Sequence, residues 1–139
     1  MDIAIEGATV SIGLDVPAAD IVGFEHTAKT TAEMAAMDAA KARLAQPLEL
    51  FAVPNAAGCT VKSATVKIEG GEKDQSHTDF NAGYTLACTS VAELKSIDFK
   101  YFDVFKGAED LEVNLTSASG QAKFEVSRRK PRLDLPASK

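Results

Sequence analysis

The chain has 139 residues, 45% of them apolar and 25% charged, with two Cys and no Trp, a composition that fits one globular domain and excludes collagen, a coiled coil and bulk disorder. At this length a domain buries roughly 70% of the surface its unfolded chain exposes, enough for a hydrophobic core without several cross-links. A formal charge of −5 repels phosphate backbones and anionic surfaces, and apolar runs of a few residues fall far short of the ~20 that span a bilayer, so neither nucleic acid nor membrane insertion is expected.

Ile3 and Ile5, then Val10, Ile12, Leu14 and Val16, alternate on either side of Gly7, the period of a half-buried hairpin. Pro17 ends the second strand. From Ala18 to Lys29 no period is sustained, and this stretch is expected to be a long connection carrying Phe24, Glu25 and His26. Thr30 followed by Glu33 forms a capping box, which starts a helix with Met34, Met37, Ala40 and Leu44 on its core face and ends it before Pro47. The two methionines are expected in the core rather than on copper, since soft thioether sites need more sulfur or imidazole nearby. Leu48 to Val53 makes a short extension before a turn over 54–58.

Alternation returns after Cys59. Val66 and Ile68 mark one strand, and Phe80, Ala82, Tyr84, Leu86 and Cys88 share one face of the next. Between them lies a polar linker over 69–76. Ser90 to Leu94 forms a turn of helix. Ile97, Phe99 and Tyr101 begin a further strand, with Phe102, Val104 and Phe105 buried on both faces or bulged. Leu111, Val113 and Leu115 then pair with Phe124 and Val126 through Ser-Ala-Ser-Gly. These elements make an α+β fold, a mainly antiparallel sheet of about seven strands with one substantial helix, in a single domain spanning 1–139. Arg128, Arg129, Lys130 and Arg132 form the one basic cluster, expected to be a solvated strand end.

Cys59 and Cys88 are too few and too far apart for a zinc ribbon or a C-x-x-C motif. One structural disulfide is the simplest reading, since the two fall at the start and the end of an antiparallel pair. Closing a loop of about 30 residues would add roughly 3.5 kcal/mol in the chain-entropy account and implies an oxidising compartment. Two buried free thiols in a reducing compartment are the alternative. No basic and apolar leader precedes the first strand, so export requires a signal peptide already removed.

Common cofactor and hydrolase motifs are missing, and the two imidazoles, His26 and His77, follow no nucleophile signature. The chain is not expected to be an enzyme. His77 and Asp79 stand two apart at the mouth of a strand, so both side chains leave one face toward a common ion. Glu25 and His26 complete a nitrogen and oxygen set suited to Zn²⁺ if their connection folds over that mouth. Glu72 and Asp74 are reserves. The plain alternative is that both histidines are surface residues.

The blocks "DIAIEG", "VSIGLDVPAADIVGFEHTAKT", "AGCTV", "HTDFNAGYTLACTS", "LKSIDFKYFDVFKGAEDLEVNL" and "PRLDL", with an alanine-rich helix among them, resemble the ZrgA-like periplasmic zinc-binding proteins of Gram-negative bacteria over nearly the whole chain. The resemblance implies an exported protein, produced under zinc limitation, that binds Zn²⁺ and assists a zinc ABC importer or its binding protein. It also supports the Cys59–Cys88 pairing and matches His26, His77 and Asp79 to family blocks. Family members carry a long His- and acid-rich run between Glu69 and His77, where this chain has only "GGEKDQS". It is either a natural His-poor member or a chain with a shortened loop, and losing such a tract removes capacity rather than the folded domain.

Two classes of function follow. One is a non-enzymatic accessory that captures zinc and hands it on. The other is a protein-interaction module whose metal binding belongs only to the missing tract.

Overall fold

A computed structural model describes residues 1–23, 29–70 and 78–135. The first hairpin joins β1 (Asp2–Glu6) to β2 (Thr9–Pro17), with Ile3 against Ile12 and Ile5 against Val10. Gly7 takes φ 58° in its two-residue turn, a left-handed conformation that a side chain disfavours. Where the sequence suggested only an irregular connection, α1 (Ala18–Val22) follows Pro17 and closes on Gly23. One turn of helix is too short to show a period.

The capping box is formed as expected. Glu33 N–H donates to Thr30 Oγ1 at 3.0 Å and Thr30 N–H to Glu33 Oε1 at 3.2 Å, and α2 (Thr31–Leu44) runs from it. Met37, Ala40 and Leu44 are buried, whereas Met34 is 51% exposed and leaves the core face assigned to it. Pro47, barred from the interior of α2, starts α3 (Pro47–Leu50), where its missing N–H costs nothing.

β3 (Phe51–Ala52) leads through a 3-10 turn at Asn55–Ala57 to β4 (Cys59–Gly70). Gly58 sits at φ 61°, and a Cβ there would collide with the Thr89 side chain. β5 (Thr78–Cys88) pairs antiparallel with β4 on one side and β2 on the other. Its inward residues Phe80, Ala82, Tyr84, Leu86 and Cys88 are all buried, as their alternation required.

β6 (Ser96–Phe99) is shorter than expected, because Tyr101 to Val104 turn into α4 (Tyr101–Val104). A short run such as Tyr-Phe-Asp-Val, with Tyr101 and Phe102 buried and Asp103 exposed, is compatible with either element. β7 (Asp110–Ser117) and β8 (Gly120–Ser127) form the hairpin read from the sequence, Leu111 facing Val126 and Val113 facing Phe124. β9 (Arg132–Asp134) closes the chain.

Among the described residues these make nine strands rather than seven, in a six-stranded sheet of order β4-β5-β2-β1-β7-β8 and a three-stranded one of order β3-β6-β9. The larger sheet is mixed, not antiparallel throughout, because β1 and β7 run parallel with Ile3 beside Leu115. Strands that far apart in sequence leave no local mark of their pairing. The helices and the small sheet cover the inner face, where one continuous core joins Leu14, Phe80 and Val113 to Leu44, Phe51, Phe99 and Tyr101.

Cys59 and Cys88 stand directly opposite on β4 and β5 and are joined, with Cα atoms 3.9 Å apart. Cys88 spends its N–H on Ala8 O, toward β2, so its pairing with Cys59 is of the closer, non-hydrogen-bonded kind in which side chains approach. Replacing both cysteines with serine is expected to cost about 2–4 kcal/mol, read from urea denaturation of the variant beside the oxidised and reduced native chain.

Candidate metal site and the residues around it

Asp79 is exposed near the start of β5, with Pro17 of β2 and Glu69 of β4 as its Cα partners. One rung further in, Asn81 lies between Asp15 and Lys67. The outer face of the sheet at this end thus carries three carboxylates on adjacent strands, Glu69 directly opposing Asp79. Like charges so placed disfavour each other, and a cation beside them would relieve that.

The ends of β2, β4 and β5 meet at this edge by register. Residues 71–77 join β4 to β5 there, and 24–28 follow α1, which itself begins at the end of β2. Glu25, His26 and His77 lie outside the described residues, as do Glu72 and Asp74, so of the proposed ligands only Asp79 has a described position. Among the described residues no group of three or more His, Cys, Asp or Glu is arranged to hold a metal ion.

Thr78 turns its side chain inward, 3% exposed, and its Oγ1 has no hydrogen-bond partner among the described residues. Tyr101 Oη is likewise buried and unpartnered there. Tyr84 differs, donating its hydroxyl to Leu44 O at 2.5 Å and so tying the end of α2 to the middle of β5. Phe51 stacks on Tyr101 and tilts against Tyr84, with centroids 6.0 and 6.2 Å away.

Burial drives both phenols well above their ordinary value of 10.0, and at Tyr101 the Asp20 carboxylate and Tyr84 add to the effect. Both stay neutral at any ordinary pH and are unsuited to proton transfer.

Arg128, Arg129, Lys130 and Arg132 are all exposed beyond the end of β8, as expected of a solvated strand end, but Arg128 has a structural role besides. Its guanidinium donates to the carbonyls of Phe102 at 2.7 Å, Lys106 at 2.8 Å, Ala108 at 2.6 Å and Phe105 at 3.3 Å. It satisfies the acceptors left at the end of α4 and in the loop beyond it, as a cation at a helix C-terminus does. Sequence reasoning missed this role, because those acceptors arise only once Tyr101 to Val104 form a helix where the sequence suggested a strand. Arg132 pairs with Asp134 at 3.1 Å on the surface.

Between α1, α2 and α4 runs an open, mainly apolar groove of about 600 Å³, lined among others by Ile21, Val22, Ala39, Ala40, Val104 and Phe105. It holds no nucleophile beside a base.

The family described as ZrgA family zinc uptake protein matches residues 1–135. The chain belongs to this ZrgA family. The match spans both sheets and all four helices, so the whole described fold is the family's domain. A role related to zinc uptake comes with that membership. No curated protein matches the chain.

Two outcomes test the groups described above. Above pH 10 the unfolded chain releases phenolic protons that the folded chain keeps, so stability fully present below that pH declines as pH rises, by up to about 1.4 kcal/mol per unit for each phenol. Urea midpoints across the alkaline range should fall accordingly, and less steeply in Tyr84→Phe. Arg128→Ala is expected to cost roughly 1.5–3 kcal/mol by the same measurement, against about 0.5 kcal/mol or less for the exposed Arg129→Ala.

Proposed function

We propose that the chain is a non-enzymatic periplasmic accessory that captures Zn²⁺ and passes it to a zinc ABC importer or its binding protein. Membership of the zinc uptake family over residues 1–135 carries this reading. The Cys59–Cys88 bond supports it, since such bonds persist in oxidising compartments. No helix among the described residues is long and apolar enough to cross a membrane.

His26, His77, Asp79 and Glu25 are the proposed ligands. Support for them comes from chain connectivity at the carboxylate-bearing edge. His77 directly precedes Thr78, the residue opposite Gly70, which holds its Cα about 3.8 Å from a strand position adjoining Asp79. Glu25 and His26 follow Gly23, the residue that closes α1, and an extended chain reaches about 3.5 Å per residue from that point. Neutral imidazole with carboxylate is a donor set that zinc accepts, and a site at exposed strand ends can release its ion to a partner without unfolding the core.

Zinc needs the imidazoles unprotonated, so affinity should hold above about pH 6.5 and weaken below it. Calorimetric titration with Zn²⁺ on either side of that pH is the test. At neutral pH His26→Ala and His77→Ala should each weaken binding about tenfold or more, with a smaller loss for Asp79→Asn. Unchanged affinity in all three variants would discard the ligand set and leave the domain as an interaction module.

A further inference from the structure

We infer that β8 is a pairing edge for a second copy of this chain, the two strands running antiparallel about a two-fold axis at Phe124. β8 ends the six-stranded sheet, and among the described residues no strand pairs on its outer side. Its free main-chain groups can be assigned. The two-residue turn at Ala118 and Ser119 makes Ser117 and Gly120 a hydrogen-bonded pair, so Ala122, Phe124 and Val126 direct their N–H and C=O toward β7. Gln121, Lys123, Glu125 and Ser127 direct theirs outward. Ser127 confirms the phase, its N–H reaching away from β7 to Lys130 O at 3.3 Å.

Charge selects the register. Within the chain, Glu125 faces Glu112 across the β7–β8 pair, an unfavourable opposition, while Lys123 reaches diagonally to Glu112 at 3.6 Å. An axis at Lys123 would set lysine against lysine, and one at Glu125 would set glutamate against glutamate. An axis at Phe124 sets Lys123 of each copy against Glu125 of the other, at the two hydrogen-bonding positions. Glu125 thereby gains the opposite charge that its own sheet does not place across from it.

The same register brings Phe124 against its copy in the closer, non-hydrogen-bonded position. Phe124 is only half-buried in the single chain. Ser127, already occupied by Lys130, ends the ladder on each side, so the contact is short and the dimer concentration-dependent. The large sheet would then continue across two copies, far in register from the Asp79 edge.

Sedimentation equilibrium on the full chain over a range of concentrations tests the inference, with Lys123→Glu and Glu125→Lys as the variants. Each variant alone should associate about tenfold more weakly than the native chain, because each meets its own sign across the axis. Mixed one to one, the two should pair with each other at native strength, since every opposition then joins unlike charges. Glu125→Lys also removes the clash with Glu112, so its thermal midpoint should not fall, which separates lost pairing from lost folding. A native chain that stays monomeric throughout, a dimer unaffected by both single changes, or a mixture no tighter than its parts would each overturn the assignment.

Discussion

The antiparallel ladder between β4 and β5 is the constraint on which the rest of the molecule depends. A covalent bond joins Cys59 to Cys88 at one end, and the ladder carries that register, through one irregularity between Val61 and Ser63, to Gly70 opposite Thr78 at the other. Because hydrogen-bonded pairing transmits position rung by rung, the two ends of the segment 71–77 stand side by side whatever that segment contains. The entropic cost of closing a loop rises only slowly with its length. A tract of very different length can therefore occupy this point across a family without disturbing the sheet beneath it.

β5 also organises the core. One face of the strand is the apolar series from Phe80 to Cys88, and its middle residue does two kinds of work: the Tyr84 ring packs against Phe51, and its hydroxyl holds the last carbonyl of α2. The helix has little apolar surface of its own to bury beyond Met37, Ala40 and Leu44, so one directed hydrogen bond from the sheet counts for much in locating it. The opposite face of the strand is open and polar. Stability is concentrated on the inner side, leaving Asp79, Glu69 and Asp15 at the outer edge free of any packing duty.

Charge serves more than one purpose in this acidic chain. Arg128, exposed like its neighbours Arg129 and Lys130, is held by main-chain carbonyls around the end of α4, a structural use of a cation. Carboxylates gather instead where β2, β4 and β5 end together. The separation follows from solvation: a guanidinium can be drawn against backbone oxygens that would otherwise go unpaired, whereas opposed carboxylates remain in water or await a cation.

Much of the fold was legible along the chain. Alternation disclosed β1, β2, β5, β7 and β8, the Thr30 and Glu33 pair disclosed the start of α2, and the positions of the two cysteines disclosed their bond, because each of these signals is local or depends on a single strand pair. β3, β9 and α1, two, three and five residues long, were not legible, since so few positions cannot display a period without an alternating strand beside them in sequence, as β1 has in β2. The swing of Tyr101 to Val104 from strand to helix, the exposure of Met34, the parallel union of β1 with β7 and the grip of Arg128 were decided by packing between segments remote in sequence. The candidate ligands divide in the same way: residue types and spacing single out His26, His77, Glu25 and Asp79, but only the register of β2, β4 and β5 shows that the strand end carrying Asp79 lies beside the end of β2, from which α1 leads toward Glu25 and His26. Periodicity records what a residue's neighbours along the chain require of it, and tertiary structure adds what distant segments supply.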